Sequence, residues 1–256
     1  MSESEHDASF ATTLAKGIAI LEAYTPKKNV LSNAQISEIT GINRSTVARL
    51  TYTLEKLGYL SQSDFKYKVT WKALTLSNSI LTNLRILQIS RPFMQQFSRD
   101  IGATLSLGTI DTLNFVYLET SRTDDNILST PDVGTVGPLL PATIGHALSS
   151  LLTNAELATL QAQVQESSPD LWEKYSESFI KGVRDCRERG FSVAWGRWIP
   201  GTNTAAAPII RDENLDCFAL SCRLPAYRLR PTQIEDEIGP RLKSLADAIR
   251  TQLRPD

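Results

Sequence analysis

Arg44, Ser45, Thr46, Arg49 and Tyr52 crowd into nine residues, with Lys66 and Lys68 a short distance on. Their chemistry is hydrogen bonding to anions and to base edges, not bond making. A guanidinium can grip guanine O6 and N7 as a fork, hydroxyls suit either base edges or phosphates, and lysines act as point charges on phosphate. At about 100° per residue, Ser45, Arg49, Tyr52 and Lys56 share one side of a helix, while Arg44, Thr46 and Ala48 surround its first turn. That side is almost free of carboxylates. Residues 11–72 hold nine Lys or Arg against four acids, a balance of +5, whereas the whole chain is at −1. A basic segment in a near-neutral protein is the footprint of phosphate contact, because each cation placed on a phosphate releases condensed counterions. An ordinary amphipathic hairpin whose charged side only meets water has the same spacing; the charge balance favours DNA.

Bond-making chemistry is poorly provided for. The two histidines, His6 and His146, lie far apart in the sequence, and no GxSxG, HExxH, GxxxxGK[ST] or GxGxxG pattern occurs. Cys186, Cys217 and Cys222 lack CxxC spacing. On one strand, Cys217 and Cys222 would face opposite ways and could not share a metal. The expectation is a chain that is not an enzyme, with no catalytic residue, metal or cofactor. The odd thiol count argues for a reducing compartment. The acidic start MSESEHDASF is not a signal peptide, and no apolar run is long enough to span a bilayer, so no membrane partner is expected and the location is cytoplasmic.

The elements that must hold the basic face can be read from caps and stripes. Ser32 with Gln35 is a capping box for a short helix with Ile36 and Ile39 on its buried face; Gly41 ends it and Asn43 caps the next. Val47, Leu50, Leu54 and Leu57 form the apolar stripe of that second helix. A preceding helix carries Leu14, Ile18 and Leu21 and stops before Pro26. Beyond Gly58, residues 59–62 and 66–69 alternate as a hairpin, with Tyr67 and Val69 on one side and Lys66 and Lys68 on the other. Helix, glycine turn, helix and hairpin make a winged helix-turn-helix, the second helix entering the major groove and the hairpin lysines lying on the backbone. Any small surface hairpin would also fit the wing segment.

The expected division is a tail at 1–10, the winged helix-turn-helix at 11–71, a linker helix at 72–90 and a second domain at 91–256, in an α+β protein. Leu74, Leu81 and Leu84 are too apolar for solvent and predict subunit pairing. Pro92 is read as the start of a new helix bearing Phe93, Phe97 and Ile101 and ending at Gly102. A hairpin at Thr104–Ile110 and Asn114–Glu119 follows. A turn-rich stretch then holds a short strand at Ile127–Thr130, before a helix from Ala142 to Leu152 and another capped by Thr153 and Glu156. A helix closed by Gly190 precedes strands at Phe191–Trp195, Ala205–Ile210 and Cys217–Arg223. Thr232 and Glu235 cap a terminal helix. This is a sandwich of helices on an antiparallel sheet.

The run LAKGIAILEAYTPKKNVLSNAQISEITGINRSTVARLTYTLEKLGYL, residues 14–60, resembles the amino-terminal domain of the IclR family of bacterial transcriptional regulators, including Arg44-Ser45-Thr46 and the LEKLGYL at 54–60. PLLPATIGHAL (138–148), RERGF (187–191) and GTNTAAAPI (201–209) resemble that family's motifs in their order. The resemblance spans roughly residues 11–252. It implies a winged helix joined by a linker helix to a GAF-like α/β ligand-sensing domain, and a homodimer or dimer of dimers on a double-stranded operator.

By the same resemblance the effector-contacting positions are Ser129, Thr143, Ile144, Ala194, Thr204, Ser221 and Arg223. The chain departs from many members at Ala194-Trp195-Gly196-Arg197-Trp198, where acids are common, and at Arg223, where a small polar residue is common. These departures point from short keto acids toward the branch that answers aromatic acids. A cavity between segment 127–145 and the strands would join apolar walls, Ile144 and Trp195 among them, to hydroxyls of Ser129, Thr143, Thr204 and Ser221, with Arg223 for a carboxylate. Arg223 could instead pair with Asp216 or Glu213 or face water, and Trp195 and Trp198 could be core packing. The expected function is an effector-responsive regulator, of a catabolic operon, answering a small aromatic carboxylic acid. The alternatives are a DNA-binding protein indifferent to small molecules and an unrecognised enzyme.

Overall fold

The computed structural model describes residues 9–123, 132–196, 198–230 and 232–253. The chain forms two compact units, one running to Asn83 and one starting at Leu84.

The first unit contains α1 (Thr12–Glu22), β1 (Leu31–Ser32), α2 (Asn33–Thr40), α3 (Arg44–Lys56), β2 (Leu60–Ser63), β3 (Lys66–Val69) and α4 (Leu74–Leu81). Local rules set its helix ends. Ser32 Oγ accepts from the Gln35 amide at 3.3 Å while Gln35 Oε1 accepts from the Ser32 amide at 2.9 Å, so α2 starts with its free N–H groups satisfied. Gly41 turns the chain at φ +71°, and Asn43 Oδ1 accepts from the Thr46 amide at 2.9 Å to begin α3. Ile20, Leu31, Ile36, Val47, Leu54 and Tyr67 form the core.

Two apolar positions differ from the expected stripes. Leu57 is 53% exposed, because α3 ends at Lys56 and the chain swings away at Gly58. Buried Thr51 joins the stripe instead, its hydroxyl bonding the Val47 carbonyl and Asn33 Oδ1 at 3.0 Å each. Ile39 is exposed on the last turn of α2, and Ile42 beyond the turn takes its place inside. The wing hairpin gains a third strand, since β1 pairs with β3 (Leu31 opposite Tyr67) to give the order β1-β3-β2.

After a single turn at Trp71–Ala73, α4 ends at Leu81, and the next helix, α5 (Arg85–Ile101), opens the second unit. The expected helix start at Pro92 is therefore wrong. Pro92 lies within the second turn pair of α5, where its missing N–H only deprives the carbonyl of Gln88, an exposed residue, of its helical donor.

The second unit is built on one antiparallel sheet of β4 (Thr104–Asp111), β5 (Asn114–Ser121), β6 (Val136–Pro138), β7 (Ser192–Trp195), β8 (Thr202–Arg211) and β9 (Cys217–Pro225), ordered β6-β5-β4-β9-β8-β7. α6 (Thr143–Ser149), α7 (Asn154–Ser167) and α8 (Pro169–Arg189) cover one face, burying Leu148, Leu160, Phe179 and Val183 with Ala206, Cys217 and Ala219. The alternate residues Phe218, Leu220, Cys222 and Leu224 are also buried, against α5 and α9 (Gly239–Leu253) on the other face. The sheet is thus covered twice, which explains the small, near-continuously apolar strands at 205–209 and 217–224.

α7 begins with the expected capping box, and its Glu156 also takes a fork from Arg211 at 2.6 and 2.8 Å, which holds the carboxyl far down, at about 2. The cap expected at Thr232 and Glu235 does not form. Thr232 sits at φ +66°, Glu235 pairs with Arg189 at 2.6 Å, and a wide helical turn over Ile234–Ile238 leads into α9. The expected strand at Ile127–Thr130 lies outside the described residues.

Candidate functional site

In the first unit, α3 presents Arg44, Ser45, Arg49 and Tyr52 on an exposed face, with Thr46 half-buried beside its cap. Ser45 Oγ donates to Asn43 Oδ1 at 2.8 Å, so one asparagine both starts the helix and orders a hydroxyl at its tip. Lys56 Nζ stands 5.1 Å from the Tyr52 ring. On β3, Lys66 and Lys68 point away from buried Tyr67 into solvent. Three further residues bear on this face. Lys72 Nζ caps the end of α3 at the Leu57 carbonyl, 2.7 Å away, and lies over the Tyr59 ring. Thr70 Oγ1 donates to the Gly58 carbonyl at 2.5 Å. Phe65, 88% exposed at φ +59°, forms the wing tip; an exposed aromatic beside Asp64 in a turn was the available signal for it.

A face of this kind gives distinct mutational signatures. Arg49→Ala should lose about 1–3 kcal/mol on the preferred sequence and blur base preference at one position. Lys66→Ala or Lys68→Ala should weaken all sequences alike and lower the slope of log K against log salt by about one. Fluorescence anisotropy on specific and scrambled duplexes over a salt series distinguishes the two; an unchanged Arg49→Ala would remove α3 from the groove.

In the second unit, a pocket opens between the start of α6 and the strands. Thr143 and Ile144 enter from α6, Ala194 from β7, Thr204 from β8, and Ser221 and Arg223 from β9. Thr204 and Arg223 are opposite each other in the β8–β9 ladder, and Ser221 and Arg223 share a strand face by their spacing of two. Tyr117, which the spacing arguments did not single out, completes the wall, and its phenol hydrogen-bonds Ser221. Burial raises the Tyr117 pKa, keeping the phenol neutral. Gly108 makes room for it: a Cβ there would meet Ile144 Cδ1 at 2.8 Å and Tyr117 Cδ1 at 3.3 Å. A glycine across from an inward tyrosine was the sequence signal for this wall.

Burial pushes the Arg223 guanidinium below its usual pKa, and the neighbouring Tyr117 oxygen opposes that shift. Asp216 and Glu213 are not its partners. They precede β9, whereas Arg223 is its seventh residue, roughly 20 Å along the strand. Trp195 does not line this cavity. β7 ends there, Gly196 turns the chain at φ +61°, and Trp198 takes the wall position, edge-on to Phe115 with centroids 6.1 Å apart. Ser129 and Arg197 lie outside the described residues.

The three cysteines are buried, and burial raises Cys186 and Cys222 to about 12 and Cys217 to about 11, which suppresses thiolate chemistry. Among the described residues no cluster of His, Cys, Asp and Glu could hold a metal, and no helix is long and apolar enough to cross a membrane.

Both units match known families. Residues 13–64 fit the IclR helix-turn-helix domain and residues 78–251 the bacterial transcriptional regulator IclR C-terminal domain. The chain is 27% identical to the Pca regulon regulatory protein of Pseudomonas putida, over 96% of this chain and 86% of that one. It is 26% identical to the p-hydroxybenzoate hydroxylase transcriptional activator of Acinetobacter baylyi, over 97% and 94%. The crystal structure of an IclR family transcriptional regulator from Brucella abortus superposes with a TM-score of 0.84 at 29% identity, covering 99% of this chain and 96% of that one.

Proposed function

The chain belongs to the IclR family of bacterial transcriptional regulators, and on that premise we propose that it controls a catabolic operon in response to a small aromatic carboxylic acid. It is a DNA-binding regulator with a winged helix-turn-helix and an effector-binding domain; members of the family are not enzymes. Its working place is the cytoplasm, where its operator is.

The observation that carries the effector assignment is Arg223 set into a half-apolar cavity beside hydroxyls. A carboxylate would take the guanidinium as a fork, with a charge-assisted gain of about 1.5–3 kcal/mol, while the ring rests against Ile144 and Trp198. The names of two relatives, one a Pca regulon regulator and one an activator of p-hydroxybenzoate hydroxylase, favour the aromatic reading. Calorimetry with 4-hydroxybenzoate, 3-phenylpropionate and pyruvate should find the aromatic acids tighter, and Arg223→Ala should weaken them about 10- to 100-fold. Tighter pyruvate binding, or no loss in the variant, refutes it. Anisotropy on operator DNA with and without the acid reads the coupling.

Pairing of subunits belongs to the same proposal. Leu14 and Ile18 on α1 and Leu74, Leu76 and Ile80 on α4 are exposed apolar side chains that a lone winged helix would leave in water. Light scattering at micromolar concentration should give at least a dimer, and Leu74→Glu with Ile80→Glu should shift it toward monomer; a monomeric wild type refutes the pairing.

A further inference from the structure

We propose that Phe65, at the tip of the wing, is an apolar wedge that enters the minor groove beside the bases α3 contacts and opens a flexible base step there, so that the wing reads DNA deformability as well as charge. This rests on the DNA-binding reading of α3 and the wing. The turn that carries Phe65 is strained. Asp64 and Phe65 both have left-handed backbone, at φ +49° and +59°, and the Ser63–Lys66 pair closes them into a two-residue hairpin turn. Such a turn favours Asn or Asp followed by glycine, and a bulky side chain at positive φ is an outlier. Packing within the unit does not offset the strain, since Phe65 is 88% exposed. Strain with nothing inside the fold to balance it points to a partner outside.

The neighbours of Phe65 indicate which partner. On the hairpin from Leu60 to Val69, its ring stands among exposed Gln62, Ser63, Lys66 and Lys68, while Tyr67 is turned inward and buried. Protein-docking surfaces are contiguous apolar patches, and a single ring in a polar, basic frame is not one. A duplex fits the frame better. Lys66 and Lys68 suit a phosphate ridge, whereas an acid and an apolar ring at the tip do not, so the tip belongs beyond the ridge, in a groove. Asp64 Oδ2 accepts from Ser63 Oγ at 3.4 Å, which keeps the carboxylate against its own strand. Four residues per strand extend the wing about 13 Å, enough to cross one phosphate strand from the major groove into the minor groove beside it. There an aromatic side chain can slide between base pairs and kink the duplex, as apolar wedges do. Pyrimidine–purine steps unstack most easily, so the wedge should favour TA or CA at the step it meets.

Selection from a randomised duplex pool by the full chain and by Phe65→Gly, followed by anisotropy on the duplex the wild type selects, tests the wedge. Both proteins should keep the core bases that α3 reads, and only the wild type should enrich TA or CA steps at a fixed distance outside them. Phe65→Gly should bind that duplex roughly tenfold or more weakly, with an unchanged slope of log K against log salt because no phosphate contact is lost. It should unfold at no lower temperature, glycine being at ease in the left-handed turn. Phe65→Leu, still an apolar wedge, should stay within about threefold of wild type. Equal affinity and equal flanking preference in Phe65→Gly overturn the wedge while leaving the DNA-binding reading intact. A smaller particle in light scattering of Phe65→Gly would make Phe65 a subunit contact and overturn it too. A wild type that enriches no duplex removes the DNA-binding reading itself, and the wedge with it.

Discussion

Replacing Gly145 by alanine should cost the effector-binding domain about 4 kcal/mol or more, at the exceptional end for a single methyl group. Gly145 lies in the first turn of α6, and an added Cβ would stand 2.0 Å from the Leu139 carbonyl oxygen and 2.6 Å from its carbonyl and α carbons. These are backbone atoms, so no rotamer change relieves the overlap; α6 would have to lift off the chain that leads into it. Thr143 and Ile144 would move with it, and the acid cavity would open at that wall. Urea unfolding read by the tryptophans should show a lowered midpoint. Gly17→Ala, which meets nothing within 4 Å in the interior of α1, should stabilise its own unit by about 0.5–1 kcal/mol. A loss below about 1 kcal/mol in Gly145→Ala would contradict the seating of α6 on Leu139.

Acid should destabilise the same domain through one histidine. Burial drives the His146 pKa down from 6.5 to about 4, with the Leu140 carbonyl and the Asp185 carboxylate pulling the other way; Lys181 and Glu177 share α8 with Asp185. The unfolded chain takes up its proton near pH 6.5 and the folded chain only near 4. The contribution is therefore constant above pH 6.5 and is lost as pH falls from 6.5 toward 4, by about 3 kcal/mol in all. Unfolding curves between pH 7.5 and 4.5 measure it. His146→Gln keeps a donor for Leu140 but does not titrate, and its dependence over that range should be flatter. Equal slopes in the two proteins would assign the acid sensitivity to other groups.

Features governed by neighbouring residues were legible in the sequence. The Ser32–Gln35 box, the Gly41 turn and the Asn43 cap needed only the backbone chemistry of helix ends, and the alternation at 66–69 placed Lys66 and Lys68 opposite Tyr67. What depended on distant partners was not. Pro92 looks like a helix start because its ring suits one, yet α5 already begins at Arg85 and tolerates the lost hydrogen bond. Two residues are enough for β1 because β3 is there to pair with them, which no local pattern announces. Thr143, Ile144, Thr204, Ser221 and Arg223 could be named from motifs, but which of two tryptophans faces that cavity is decided by a single glycine turn after β7. Tyr117 was overlooked because an inward tyrosine on a strand reads as core until its hydroxyl is seen on Ser221.

The bonds from Lys72 and Thr70 to the last carbonyls of the α3 turn have a mechanical meaning. They bolt the first turn after the wing to the end of the recognition helix, so α3 and the start of the linker move as one lever arm. Torque applied farther along α4 is then delivered to the groove-reading face without being absorbed in between.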